Sequence, residues 1–172
     1  MEVKQALRTK RAVRKFTDQP IPETLIQEIL KAGRRAQSAK NSQPWRFIAI
    51  TDRKTLAALA QMGDFAGHLA GAALGVAILT PPPIQRWSIM FDAGQCAAYM
   101  QLAGWALGIG SCPATIYRPE AARKLLGFPA EWHLNVVLSF GYPAEPSMVT
   151  APPLGKGRRP LDETVHFNAW TR

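Results

Sequence analysis

Apolar and polar positions along the chain switch between the helical and the extended period, and the switches delimit the elements. Val3, Ala6 and Leu7 fall at helical spacing and predict a short first helix that delivers Lys10 to Arg14 at or just past its end. Pro20 and Pro22 prevent its continuation, since each lacks a donor and restricts the residue before it. From Glu23 the apolar set Leu25, Ile26, Ile29, Leu30 and Gly33 describes a one-faced helix. Glu23 sits near its positive end and Lys31, Arg34 and Arg35 near its negative end. Gln37 to Pro44 is polar and predicts a loop, after which Arg46 to Thr51 has the composition of a strand. Asp52 is placed to cap a helix that buries Leu56, Leu59, Ala60 and Met62 and stops at Gly63. A further helix is expected around Phe65 to Gly71, then a buried strand from Leu74 to Leu79, closed by Pro81, Pro82 and Pro83.

The longest helical stretch runs from about Trp87 to Leu107, with small and large apolar residues all round it. Burial on every side of one helix in so small a domain predicts that a second subunit covers one face. Gly108 to Pro113 breaks that helix, Pro119 to Leu126 begins another with proline in its first turn, and Leu134 to Phe140 is a strand ending at Gly141. The last 30 residues hold five prolines and no long periodic segment, as expected of a tail ordered only by another surface. The element order predicts an α+β fold, a small mixed β-sheet flanked by helices with a long buried central helix.

At 172 residues the chain has the size of one domain with a substantial core. Residues 1–172 are therefore taken as a single domain, with 144–172 as a C-terminal extension. Cys96 and Cys112 form no disulfide framework and lie in apolar or glycine-rich surroundings, which points to packed thiols and a cytoplasmic protein. The start Met1-Glu2-Val3-Lys4 lacks the pattern of a signal peptide, and the apolar runs Leu69–Leu79 and Cys96–Ile109 are shorter than the roughly 20 residues of a membrane span. A net charge of +9 favours anionic partners. No nucleic-acid recognition motif accompanies that charge, so neither nucleic acid nor membrane is expected as a partner.

Two basic clusters near opposite ends, Lys10, Arg11 and Arg14 in one and Lys156 and Arg158 in the other, are suited to surround one phosphate. Guanidinium groups supply paired donors and lysine a point charge. The loop containing Ser38, Asn41 and Gln43 offers groups that both donate and accept, matching the edge of a heterocycle or a polyol chain. Other chemistry finds little support. His68, His133 and His166 are dispersed and make no ligand pair with either cysteine, so no metal site is expected. Gly-x-Gly at Gly108 follows a helix, not a strand, and fails the condition for a dinucleotide fingerprint.

The order Lys-Arg-Ala-Val-Arg-Lys-Phe (10–16), Pro-Ile-Pro and a helix, then Ser-Ala-Lys-Asn-Ser-Gln-Pro-Trp-Arg-Phe (38–47) and a strand resembles the flavin-dependent nitroreductase family. The helix ending Ala-Leu-Gly-Ile-Gly-Ser-Cys (106–112), the strand ending Phe-Gly-Tyr-Pro (140–143) and the tail Lys-Gly-Arg-Arg-Pro-Leu-Asp-Glu (156–163) extend the resemblance over nearly the whole chain. It implies a homodimer with the central helix at its interface, 144–172 packing on the partner subunit, and one FMN in each of two interfacial sites. By position, Lys10, Arg11, Lys156 and Arg158 would hold the FMN phosphate, with Arg14 nearer the N1 and O2 edge of the ring. Ser38, Asn41 and Gln43 would contact the phosphate–ribityl chain or the ring edge, and the backbone of Pro113 and Ala114 would approach N5. No side chain is a catalytic residue on this reading, because the flavin carries the chemistry and Arg14 tunes it. NADH or NADPH would donate electrons in a ping-pong hydride mechanism to a nitroaromatic, quinone or related small-molecule acceptor. Ala12 stands where the family often has serine and Lys10 where arginine is commoner, which removes a hydroxyl and a bidentate donor from the phosphate site. The alternatives are a flavin-binding or redox-sensing module without steady turnover, or dehydrogenation, dehalogenation or flavin fragmentation on the same scaffold.

Overall fold

The computed structural model describes residues 1–152 and 158–170, the side chain of Asn135 excepted. Helix α1 (Val3–Thr9) forms as expected, but it buries only Ala6; Val3 and Leu7 are exposed. Helix α2 (Glu23–Arg34) buries Ile26, Ile29 and Gly33 along one stripe. The loop leads through a 3-10 turn at Ala39–Asn41 into β1 (Arg46–Ile50). Helix α3 (Arg53–Ala60) is capped by Asp52, whose carboxylate accepts from Thr55 N at 2.8 Å. It stops at Ala60, earlier than Gly63.

The helix expected around Phe65–Gly71 shrinks to a single 3-10 turn at Gly67–Leu69. Glycines at 63, 67 and 71 make a continuous helix there too costly in backbone entropy. Then follow β2 (Leu74–Thr80), the long helix α4 (Ser88–Ala106), β3 (Gly110–Thr115), α5 (Pro119–Leu126), β4 (His133–Gly141) and a last turn of helix, α6 (Ser147–Thr150).

Strand β3 is absent from the sequence-based expectation, which takes Gly108–Pro113 only as a helix break. Its composition, Gly-Ser-Cys-Pro-Ala-Thr, has poor strand propensity. The strand forms because of its position: the sheet order is β1-β2-β4-β3, so β3 is an edge. Ser111 turns its carbonyl outward to accept from Val13 N at 3.0 Å. Pro113, two residues on, has the same orientation, so its missing donor faces the open edge and the ladder loses nothing.

All pairings between the four strands are antiparallel, which corrects the expected mixed sheet. The parallel character is confined to one bridge, Ala12 to Ser111, where the segment after α1 lies along the outside of β3 as a rudimentary fifth strand.

Helices cover both faces of the sheet. Leu74, Val76, Ile78, Leu138 and Phe140 meet Ile26 and Ile29 of α2 and Ala93, Cys96 and Met100 of α4 on one face. Ala77, Leu79, Leu134 and Val137 meet Leu56 and Leu59 of α3 and Ala122 of α5 on the other. Two-sided burial explains why β2 is apolar throughout instead of alternating. A bulge opposite Ile78 and Leu79 shifts the register of β4 by one residue and places Leu134 on the α3 face, against simple alternation.

The basic segment needs a close approach to lie against β3. A Cβ on Gly110 would stand 2.6 Å from both Cβ and Cγ2 of Val13, which is wholly buried. Gly110→Ala should therefore cost about 1–3 kcal/mol through overpacking, lowering the thermal midpoint by about 2–4 °C per kcal/mol. A melting curve identical to that of the unchanged protein would show that the segment is not seated on this strand.

Candidate functional site

The segment after α1 is tied down at three points. Val13 N donates to Ser111 O at 3.0 Å, Thr17 N to Tyr142 O at 2.9 Å, and Ala144 N to Lys15 O at 3.0 Å. Buried Val13 anchors it from below, and Phe16 packs so closely on Gly141 that a Cβ there would meet its ring at 2.7 Å. These anchors alternate with cations. Lys10, the C-cap of α1, is half-buried and donates from Nζ to Gln101 Oε1 of α4 at 2.5 Å. Arg14 is exposed, and its charge acts on Cys112 of β3. Arg11 turns toward the tail, its Nη2 donating to the carbonyls of Ala151 at 3.1 Å and Pro152 at 2.9 Å. Of the three cations, Lys10 and Arg14 converge on β3, while Arg11 ties down the start of the C-terminal extension.

Under these cations lies a buried polar chain that the sequence reading did not single out. Ser139 of β4 donates its hydroxyl to Cys112 O at 3.1 Å, and His68 Nδ1 is 2.8 Å from Ser139 Oγ itself. Because the one hydroxyl proton goes to Cys112, neutral His68 carries its proton on Nδ1 and donates it to Ser139. His68 Nε2 and the hydroxyl of Ser111 are buried without hydrogen-bond partners. The pKa of His68 is lowered, first by burial and then by Arg14, with the Pro113 backbone working against both. Burial pushes the Cys112 thiol up against the pull of Arg14 and Lys10, and burial also lowers Lys10, Cys112 opposing. A half-buried ammonium beside an arginine, with no carboxylate paired to either among the described residues, is an arrangement that an anion would stabilise.

The polar loop is held elsewhere. Ser38 Oγ accepts from Gln43 N at 2.9 Å, and Asn41 Oδ1 accepts from Gln43 Nε2 at 3.2 Å, so the three residues close the loop on itself. Its anchor on α4 is Asp92, which receives Ala39 N on both carboxylate oxygens at 3.2 Å. Lys10 contacts the same helix at Gln101, nine residues and about 13 Å further along the axis. One chain thus spaces the loop apart from the basic segment. Pro113 is exposed beside that segment, whereas Ala114 is buried. Arg158 is exposed, and Lys156 lies outside the described residues. Trp87 and Phe65, both over 80% exposed, belong to no core. The buried Asp92 did carry a sequence signal, as the one charged residue in the nineteen of α4. His68 and Ser139 carried none, since only the pairing of β3 with β4 brings them to the cations.

Comparison with known proteins gives a consistent result. The model of the nitroreductase family matches residues 7–70 and 65–142. A protein of Archaeoglobus fulgidus, provisionally named NADH dehydrogenase/NAD(P)H nitroreductase, is 33% identical over 144 residues, which cover 80% of this chain and 83% of that protein. The nitrobenzene nitroreductase of Ectopseudomonas oleovorans is 39% identical over 125 residues, covering 72% of this chain and 53% of the relative. Among solved structures, an FMN-dependent nitroreductase of Clostridium difficile superposes with a TM-score of 0.82 at 27% identity, over 96% of this chain and 99% of that one.

The buried imidazole has a pH consequence. Its folded pKa lies below the free value of about 6.5, so in the window between the two the unfolded chain binds the extra proton. The stability contributed by neutral His68 is complete above about pH 6.5 and is lost as pH falls through that window. His68→Asn should flatten the acid side of the stability profile, measured as urea midpoints from pH 5 to 8. Parallel profiles for the two proteins would assign the acid sensitivity to other groups.

Proposed function

This chain belongs to the nitroreductase family, and from that premise we propose that it is an FMN-dependent oxidoreductase passing electrons from NADH or NADPH to a small organic acceptor, a nitroaromatic or quinone. The observation that carries the reading is the convergence of Lys10 and Arg14 on the edge strand β3 at Cys112, next to Ser111, whose buried hydroxyl has no partner. Charge, hydroxyl and exposed strand edge together suit a phosphorylated, ring-bearing ligand.

The residues present fit FMN. Lys10 would hold the phosphate, with Lys156 and Arg158 of the C-terminal extension as further cations and Arg11 contributing donors while anchoring that extension. Arg14, by placing a fixed positive charge at the ring edge, favours the electron-rich state of the ligand. The exposed β3 edge at Pro113, next to buried Ala114, allows backbone to approach the ring without an intervening side-chain layer. FMN, when bound, supplies the two-electron chemistry, and donor and acceptor use the same open face in turn.

The site is completed by a second copy of the chain. Ser38, Asn41 and Gln43 stand about 13 Å along α4 from the Lys10 contact, so within one subunit they do not complete the basic cluster. A homodimer in which the loop of one subunit meets the basic segment of the other resolves that separation. Exposed apolar residues support it: Val3 and Leu7 on α1, Met90, Phe91 and Tyr99 on α4, and Phe167 and Trp170 in the extension. Their burial against the partner would satisfy a helix that is apolar on nearly every side.

Purified protein should be yellow, elute as a dimer and lose its flavin absorbance anaerobically on addition of NADH or NADPH, with colour restored by a nitroaromatic or quinone. A colourless monomer that retains no FMN after reconstitution would refute the proposal. Arg14→Ala should slow reduction about tenfold with a smaller effect on FMN affinity, whereas Arg158→Ala should mainly weaken FMN binding. Stopped-flow reduction and fluorescence titration separate the two effects, and indistinguishable variants would remove this division of labour.

A further inference from the structure

The loop that closes the proposed flavin site has an unusual backbone. Lys40, Asn41 and Gln43 all have positive φ, at 54°, 52° and 46°. Asparagine tolerates this region, but lysine and glutamine have no intrinsic preference for it. Three such residues within four positions persist only where the surroundings over-determine them.

The surroundings are two side chains at the start of α4. Asp92 is 2% exposed, a buried carboxylate in an otherwise uncharged helix. Ala39 N satisfies both of its oxygens, at 3.2 Å each, and Arg86 Nη2 stands 3.7 Å from Oδ2. The same Arg86 Nη2 donates to Ser42 Oγ at 2.7 Å. Arg86 thus links the carboxylate that holds Ala39 to the hydroxyl of Ser42; Lys40 and Asn41 lie between these two ties and Gln43 directly follows the second. Gln95 Nε2 adds a contact to Gln37 O at 3.4 Å. Burial, with Asp92 adding to it, pushes the neighbouring Cys96 thiol up to about 12, so Cys96 stays protonated and donates to Gly33 O near the end of α2 at 3.0 Å. A buried charge is costly unless it organises polar neighbours, and here those neighbours are loop atoms.

We infer that Asp92 and Arg86 are positioning residues of the flavin site, which hold residues 37–43 in the left-handed backbone that presents Ser38 and Asn41 to the cofactor. Neither touches the cofactor. They act through Ala39 N–H and the Ser42 hydroxyl. The inference rests on the proposed role of the loop as a cofactor contact, and it adds the device that shapes it.

The test is a double-mutant cycle on FMN affinity, read as quenching of FMN fluorescence by apoprotein, with the thermal midpoint of each apoprotein measured alongside. Arg86→Ala and Ser42→Ala should each weaken FMN binding about tenfold, and the double variant should be no weaker than Arg86→Ala alone, the coupling expected of one shared interaction. Because Asp92→Ala leaves a buried cavity and risks the fold, Asp92→Asn is the informative change there. It retains one acceptor for Ala39 N and should bind FMN more weakly than the unchanged protein through faster dissociation. FMN affinities equal to that of the unchanged protein, or purely additive losses, at native thermal midpoints would overturn the inference and leave the proposed function standing. Failure of the unchanged protein to bind FMN would overturn both.

Discussion

The contact on which the arrangement depends is the hydrogen bond from Val13 N to Ser111 O, with the buried valine side chain beneath it. It covers the outer edge of β3 for one residue pair and then leaves that edge open at Pro113. Covering the edge protects a short, weakly propense strand from fraying. Leaving it open beyond the bond gives a ligand access to backbone. The same contact fixes the direction of Arg14, because a residue adjacent to an anchored, buried, extended residue points away from the core. Arg14 is therefore placed by the packing of Val13 beside it and Lys10 by its bond to buried Gln101, and Gly110 is the position that allows the approach.

Helix α4 holds both polar segments of one chain, which in the proposed dimer would serve the two different sites. Gln101 near its C-terminal end takes the ammonium of Lys10, and Asp92 nearer its start takes the backbone of the loop. Both are buried polar groups in a helix whose remaining buried residues are mainly apolar, and each is satisfied by a segment outside the helix. The spacing of the two contacts is thereby set by helical rise, which is among the stiffest lengths available to a protein. A dimer built on the exposed face of α4 would inherit that spacing twice, once from each subunit.

How much of this was legible in the chain depends on whether the signal was local. Helices α2 and α5 and the cap at Asp52 were readable because periodicity, proline and capping chemistry act within a few residues. Strand β3 was not, since Gly-Ser-Cys-Pro-Ala-Thr forms a strand only when β4 and the basic segment lie on either side of it. The expected mixed sheet proved antiparallel for the same reason, because pairing direction is decided by non-local topology. Lys10, Arg11 and Arg14 were singled out by charge, yet charge alone did not show that Arg11 turns to the tail. His68 and Ser139 are far apart in sequence and meet only across the sheet, so no motif could have paired them.

The electrostatics of the folded chain argue for an anion as firmly as the positions do. Burial lowers Lys10, burial and then Arg14 disfavour a charged His68, and among the described residues the ion pairs Arg53–Asp18, Arg86–Asp92 and Arg123–Glu120 involve none of Lys10, Arg11 and Arg14. A surface selected only for stability would place a carboxylate among such cations or move them into water. Keeping Lys10 half-buried near exposed Arg14, with no carboxylate paired to either, costs stability in the free chain, which a phosphate-bearing ligand would recover. Net charge alone cannot supply this argument, because most of the cations behind the +9 are solvated and interact weakly with any single anion. Lys10, whose ammonium burial disfavours, is where a bound anion would recover stability.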